Sequence, residues 1–393
     1  MTELDYSKLH GKEYLDMAFD RCIKCSTCKY SFKEFERSCP SGEKFLFESY
    51  WASGRIRIAR GLINGDLEWT DDLVDPLFAC TTCAACADSC QAPHADHIVD
   101  IIESLRELAV TRIGPANNQE KLVSRCKSKF NPYDEPNSTN DGLKEKYKLP
   151  DTAEWVYFIG CTSNYRQEFL RGATIEFLKK TGVDFTLIDE HCCTSPLLRT
   201  GQTNLAKDFM DYNIGRIKDA GASKVVTSCA GCYRTMVKDF EKFGASHDLE
   251  VYHTTELVKK MLDEGKIRIK SEYKKTVTYH DPCHLGRHMG VYEIPRHVYK
   301  KIPGLNLVEM KRNRNHAWCC GAGGGVKIGY PDWSLEVSKE RLEEAKETGA
   351  SVLSSTCPFC KTNLNDANEK NGMGFEVLDL IEILNQLEIE VVK

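Results

Sequence analysis

The chain has 393 residues, 53 Lys and Arg against 58 Asp and Glu for a net charge of −5, 41% hydrophobic and 28% charged residues, and 19 cysteines. A slightly acidic chain of this length supports two or three hydrophobic cores; it excludes disorder and a collagen-like fold, and argues against a basic nucleic-acid-binding surface. The cysteines are the anomaly, and the function is to be sought in them.

The N-terminus, MTELDYSKLHGKEYLD, carries neither a basic n-region nor an apolar h-region, and no apolar run approaches the ~18 residues that cross a bilayer. A cytoplasmic protein is expected, without a membrane span of its own, meeting a membrane only through a partner. There, an odd number of cysteines, many two residues apart, reads as a metal protein rather than a disulfide scaffold. HGKEYLDMAFDRC is predicted helical and leads into Cys22, Cys25 and Cys28, with Cys39-Pro40 after ten intervening residues. FLFESYWASGRIRIARGLING is a second predicted helical stretch, with Trp69 and Phe78 expected in the core beyond it. Cys80, Cys83, Cys86 and Cys90 follow as C-x2-C-x2-C-x3-C, and HADHIVDIIESLRELAVTR is predicted helical again.

Thiolates every third residue on a short loop wrap three corners of a cubane 4Fe-4S cluster, and a distant cysteine closes the fourth. In two-cluster ferredoxins the last cysteine of each run serves the other cluster. The expected sets are therefore Cys22, Cys25, Cys28 with Cys90, and Cys80, Cys83, Cys86 with Cys39, in an α-helical ferredoxin domain over residues 1–125. Two departures weaken Cys39 as a ligand: the ten-residue gap before it, and Gln91 where proline customarily follows the last cysteine. A pair of tetrahedral zinc sites is the alternative. Residues 126–150, rich in Pro, Asn, Asp and Lys, are expected as a linker, with Cys126 unligated at its start.

Beyond residue 150 the chain repeats itself. EWVYFIGC ending at Cys161 corresponds to KTVTYHDPC ending at Cys283; Cys192-Cys193 correspond to Cys319-Cys320, and Cys229 and Cys232 to Cys357 and Cys360. The offsets are 122, 127, 127, 128 and 128 residues. Short Val-, Ile-, Thr- and Tyr-rich runs alternate with helical patterns such as QEFLRGATIEFLKKTG and LEVSKERLEEAKETG, predicting βαβ units and a parallel sheet in each half, residues 151–272 and 273–393. The cysteines follow predicted strands, where open α/β sheets place ligands, so two five-thiol halves are expected to face one another across a pseudo-two-fold crevice.

These long matched spacings resemble the cysteine-rich CCG domain of heterodisulfide reductases, and DPCHLGRHMGVYEIPR with AWCCGAGGG resembles the family of that enzyme's D-type subunit. The resemblance covers nearly the whole chain: a two-cluster ferredoxin domain, a linker and two α/β CCG domains. It implies a noncubane 4Fe-4S cluster on Cys161, Cys192, Cys193, Cys229 and Cys232, and another on Cys283, Cys319, Cys320, Cys357 and Cys360. The first motif has Thr194 where the second keeps Gly321, which leaves zinc or a conventional cluster open at the first site. In the implied scheme the cubanes relay electrons from a flavoprotein or cytochrome b type partner, and the noncubane pair cleaves the mixed disulfide of coenzyme M and coenzyme B. The alternative is an electron-transfer subunit without its own substrate, serving a flavin dehydrogenase for glycolate, lactate or acyl-CoA, or a benzoyl-CoA reductase complex.

Near the predicted cluster edge, His284 and His288 are candidate proton donors, with hydrogen bonding to thiolate or backbone as the other reading. Arg166, Arg199 and Arg287 are candidates to meet sulfonate or phosphate groups, with structural roles as the alternative. GAGGG at 321–325 follows a cysteine pair and lacks the G-x-G-x-x-G order, so close backbone approach to a cluster is expected rather than phosphate binding.

Overall fold

Apolar strands alternating with amphipathic helices beyond residue 150 fold into two parallel sheets in a computed structural model that describes residues 12–30, 36–136 and 140–392. The first sheet contains β1 (Trp155–Tyr157), β2 (Phe185–Thr186), β3 (Lys224–Thr227) and β4 (Glu250–His253) in the order β2-β1-β3-β4. After β5 (Ile267–Ile269), the second contains β6 (Thr276–His280), β7 (Asn306–Val308), β8 (Val352–Ser355) and β9 (Glu376–Leu378) in the equivalent order β7-β6-β8-β9. Central β1 and β8 are buried along their whole length, as strands covered on both faces must be. β10 (Ile389–Val391) ends the second half and pairs antiparallel with β5, setting Glu390 opposite Arg268.

The halves match in detail. After β4, His253 caps the helix Thr254–Asp263 reciprocally with Glu256; after β9, Asp379 caps Leu380–Asn385 with Glu382. Their cores are continuous: Tyr157, Val226 and Phe177 of the first half share one buried cluster with Val277, Tyr279 and Val352 of the second.

The N-terminal region is helical where the periodicity predicts it, over Lys12–Arg21, Ala52–Asn64 and Ile98–Arg112. Ile56, Ala59 and Leu62 pack against Ile98, Ile101, Leu105 and Leu108 at helical spacing, with Phe78 fully buried and Trp69 half-buried beside them. Residues 126–136 and 140–150 are structured rather than a bare connection. The helix Glu120–Lys129 runs into them, and Asp141–Tyr147 forms another whose Leu143 and Tyr147 pack on the shared core. Short apolar spacings carried by tertiary packing explain why the sequence reads there as a loop. Among the described residues no helix is long and apolar enough to cross a membrane.

Candidate metal centre

Both cysteine triplets curl in the same way. Lys24 and Ser26 flank Cys25 at φ of 61° and 63°, and Thr82 and Ala84 flank Cys83 at 50° and 63°. Left-handed backbone at non-glycine residues is costly and concentrates where a loop is wrapped around something. One small cavity is lined by Cys22, Cys25, Cys28 and Cys90, another by Cys39, Cys80, Cys83 and Cys86. The structure thus groups the thiols in the crossed sets.

Cys39 reaches its set because the chain leaves and returns at one point, an antiparallel bridge between Tyr30 and Arg37; residues 31–35 of the intervening gap lie outside the described ones. The buried Arg55 then holds the two segments together, donating to the carbonyls of Tyr50 and Pro76 at 2.6 Å, to Ala79 O at 2.9 Å and to Ser41 Oγ at 3.0 Å.

Beyond the strands' carboxyl ends lies a cavity of about 460 Å³ whose walls include Cys161, Cys192, Cys193, Cys229 and Cys232 together with Cys283, Cys320, Cys357 and Cys360. Side-chain contacts run from Cys161 through Cys192, Cys193 and Cys232 to Cys229, and from Cys283 through Cys319, Cys320 and Cys360 to Cys357. The two chains of thiols meet where Cys229 contacts Cys357. Cys319 is not part of that wall and turns to Cys83 of the ferredoxin-type region.

Contact with neighbouring thiols, reinforced by burial, pushes Cys161, Cys232, Cys319 and Cys360 well above the ordinary thiol range, and Cys357 up to about 12. So many buried sulfurs become thiolates together only if a metal's positive charge is shared among them. A soft, all-sulfur donor set of this density fits iron–sulfur chemistry.

The candidate polar residues scatter. Arg166 lines the cavity, pairs with Glu135 at 2.7 Å and lies over the Tyr133 ring. Arg199 also borders it, but its guanidinium is taken up by Glu103 at 2.6 Å and by Asp239. Arg287 does not reach the cavity: three main-chain carbonyls, of Cys83, Asn315 and Ala317, occupy its donors and make it a strut between domains. His284 lines the cavity, whereas His288 donates from Nε2 to the Thr82 carbonyl at 2.9 Å and stays behind the wall. Burial, then Arg234, holds both imidazoles well below their ordinary range. Sequence reasoning missed Arg106, Arg125 and Tyr133. The last two stand on the 120–133 segment, which closes the cavity with Leu122 and Pro132.

Thr194 adopts φ 72° where its counterpart Gly321 has 85°, so the two loops keep one shape at the cost of strain in a β-branched residue. Its hydroxyl is buried without a partner. In the GAGGG run, a Cβ on Gly324 would overlap the Cys80 carbonyl oxygen and crowd Thr81, at a φ of 63°. The close backbone approach is therefore to the second triplet. Gly324→Ala is expected to destabilise the protein by about 2–4 kcal/mol, since clash and positive φ add, and to loosen iron bound near Cys80; anaerobic calorimetry with iron counting checks this, and wild-type melting with full iron would refute it.

A cysteine-rich domain family matches residues 155–237 and 277–365, and a 4Fe-4S dicluster family matches residues 18–93. Among curated relatives, the D-type subunit of dihydromethanophenazine:CoB–CoM heterodisulfide reductase from Methanosarcina acetivorans is 38% identical over 94% of each chain. The B-type subunit of fumarate reductase (CoM/CoB) from Methanothermobacter marburgensis is 32% identical over 93% of this chain and 71% of its own length. Among solved structures, a hypothetical protein from Helicobacter pylori shares the fold at a TM-score of 0.57 and 12% identity, over 86% of this chain and 68% of that one.

Proposed function

We propose, since the chain belongs to the family of the D-type heterodisulfide reductase subunits, that its cysteine-lined cavity is where a small-molecule disulfide of the coenzyme M–coenzyme B type is reductively cleaved. The chain is an iron–sulfur oxidoreductase subunit; the finer reading rests on one observation. Nine cysteines of two matched sets line a single cavity, and the tenth turns to Cys83 of the second triplet.

Cys22, Cys25, Cys28 and Cys90, and Cys39, Cys80, Cys83 and Cys86, would hold two cubane 4Fe-4S clusters; the two five-cysteine sets would each hold a noncubane one. Such clusters supply single electrons, whereas opening a disulfide to two thiols takes two electrons and two protons. The paired geometry answers that need. Equivalent strand order, the antiparallel β5–β10 pair and the matched caps support a pseudo-two-fold that sets the two five-cysteine sets face to face. Cys83 against Cys319 brings the ferredoxin-type region up to the second half.

Leu122, Pro282, Ile328 and Phe359 would seat an aliphatic body, and Arg125, Arg166 and Lys327 offer cations to anionic ends. His284, facing the cavity, is placed to pass a proton to a departing thiolate. A redox partner of flavoprotein or cytochrome b type would complete the chain of transfer.

The test is anaerobic purification with iron and sulfide counting, followed by spectroscopic titration with the coenzyme M–coenzyme B heterodisulfide. About sixteen irons per chain, from four clusters of four, and a disulfide-induced paramagnetic signal are expected. The same iron with no such signal would leave an electron-transfer subunit for another dehydrogenase; zinc in place of iron would sink the assignment of the five-cysteine sites.

A further inference from the structure

Aligning the repeats at Cys161 and Cys283 places Phe158, the residue after β1, opposite His280, the last residue of β6, an apolar residue against a titratable one. His280 is 1% exposed, and one of its ring nitrogens lies within 4.8 Å of the sulfurs of Cys320 and Cys360. The Nδ1 atom is occupied, because Arg341 donates to it from Nε at 3.1 Å. Nε2 has no hydrogen-bond partner, although the residue is buried.

The arginine decides the tautomer. A guanidinium stays protonated in proteins, so Nδ1 must accept and the ring proton of the neutral imidazole must sit on Nε2. Arg341 is itself held, with Nη1 donating to the Arg312 carbonyl at 2.7 Å and to Glu344 at 2.6 Å. The position equivalent to Arg341 in the first half, 128 residues earlier, is Asn213, which bonds the main chain of His191 instead. The histidine and its arginine thus belong to the second half alone.

We infer that His280 donates a hydrogen bond from Nε2 to sulfur at the second five-cysteine site and so raises the reduction potential there. This rests on the reading that an iron–sulfur cluster binds at that site. A cluster gains negative charge on reduction, and an N–H donor to its sulfurs favours the reduced form. With its proton on Nε2 the ring offers a donor and no lone pair, so it tunes the site without being a ligand. The site that touches the ferredoxin-type region through Cys319 is the one so tuned, and the first electron would rest there.

The experiment is a redox titration of the anaerobically loaded full chain, followed by electron paramagnetic resonance and without added disulfide, for wild type, His280→Phe and His280→Gln. Full iron is expected in all three. The Phe variant should move one couple to a more negative potential and leave the others in place, and the Gln variant, which keeps an N–H donor, should move it less. Unmoved potentials at full iron would overturn the inference, as would loss of one cluster from both variants, which would make His280 a ligand. If the Phe variant does not fold, pulsed measurements on wild type labelled with ¹⁵N-histidine decide. A weak nitrogen coupling to a reduced cluster is expected; a strong coupling of a direct ligand, or none, overturns it. Iron missing from the five-cysteine sites of wild type would instead sink the reading underneath.

Discussion

Arg106→Met is expected to destabilise the chain by about 4–6 kcal/mol and to detach the ferredoxin-type region from the paired halves. Arg106 is fully buried on the helix Ile98–Arg112. Its Nε donates to Leu77 O at 2.9 Å, Nη1 to Arg199 O at 2.5 Å and Gly324 O at 2.9 Å, and Nη2 to Phe78 O at 3.1 Å and Cys80 O at 2.7 Å. Five carbonyls from three parts of the chain converge on one planar fork. Methionine fills the volume but leaves those carbonyls without a donor, at about 1 kcal/mol or more each. Lysine keeps the charge and loses the fork, so Arg106→Lys should recover only part of the loss. Calorimetry under anaerobic conditions reads the stability. The rate at which reductant added at the N-terminal clusters reaches the cavity reads the docking, and is expected to fall in the Met variant even at temperatures where it stays folded. Wild-type stability and transfer would show that the docking does not depend on this residue.

Cys320→Ala is expected to abolish disulfide reduction, a loss of about 10³-fold or more, because residues that act as one unit fail together. Cys320 sits within its set between Cys319 and Cys360 and against His280. Its removal should cost one cluster's iron while the eight N-terminal cysteines keep theirs, which separates a local lesion from misfolding. Cys126→Ala supplies the contrast. That thiol is fully buried in an apolar cluster with Leu122, Leu197 and Phe209, next to Cys192 but off the cavity wall. Losing one sulfur's packing should cost about 1 kcal/mol and leave iron and turnover unchanged. Comparable iron loss in both variants would mean that Cys126 belongs to the metal-binding set.

Much of the fold is legible in the sequence. The helices around the triplets announce themselves by apolar spacing, since Ile98, Ile101, Ile102 and Leu105 must share one face of a helix. The repeat was equally plain, because matched cysteine offsets after matched apolar runs leave few arrangements other than two similar sheets. Residues 126–150 were harder: a helix as short as Asp141–Tyr147 owes its existence to Leu143 and Tyr147 docking on a core formed far away in sequence. The arginines divide for the same reason. Arg199 and Arg287 look alike in sequence beside cysteines, yet Glu103 and the Cys83 carbonyl, supplied by the other domain, claim their charges.

The sequence by itself determined the local elements and the repeated spacing of the thiols, because periodicity and spacing are properties of neighbouring residues. Only the tertiary structure decided that Cys83 meets Cys319, that Arg106 bonds across 93 and 218 residues, and that His280 stands beside Cys320 and Cys360 with Arg341 on its Nδ1. Those are meetings between distant segments, and no local pattern specifies a partner that packing alone brings into reach.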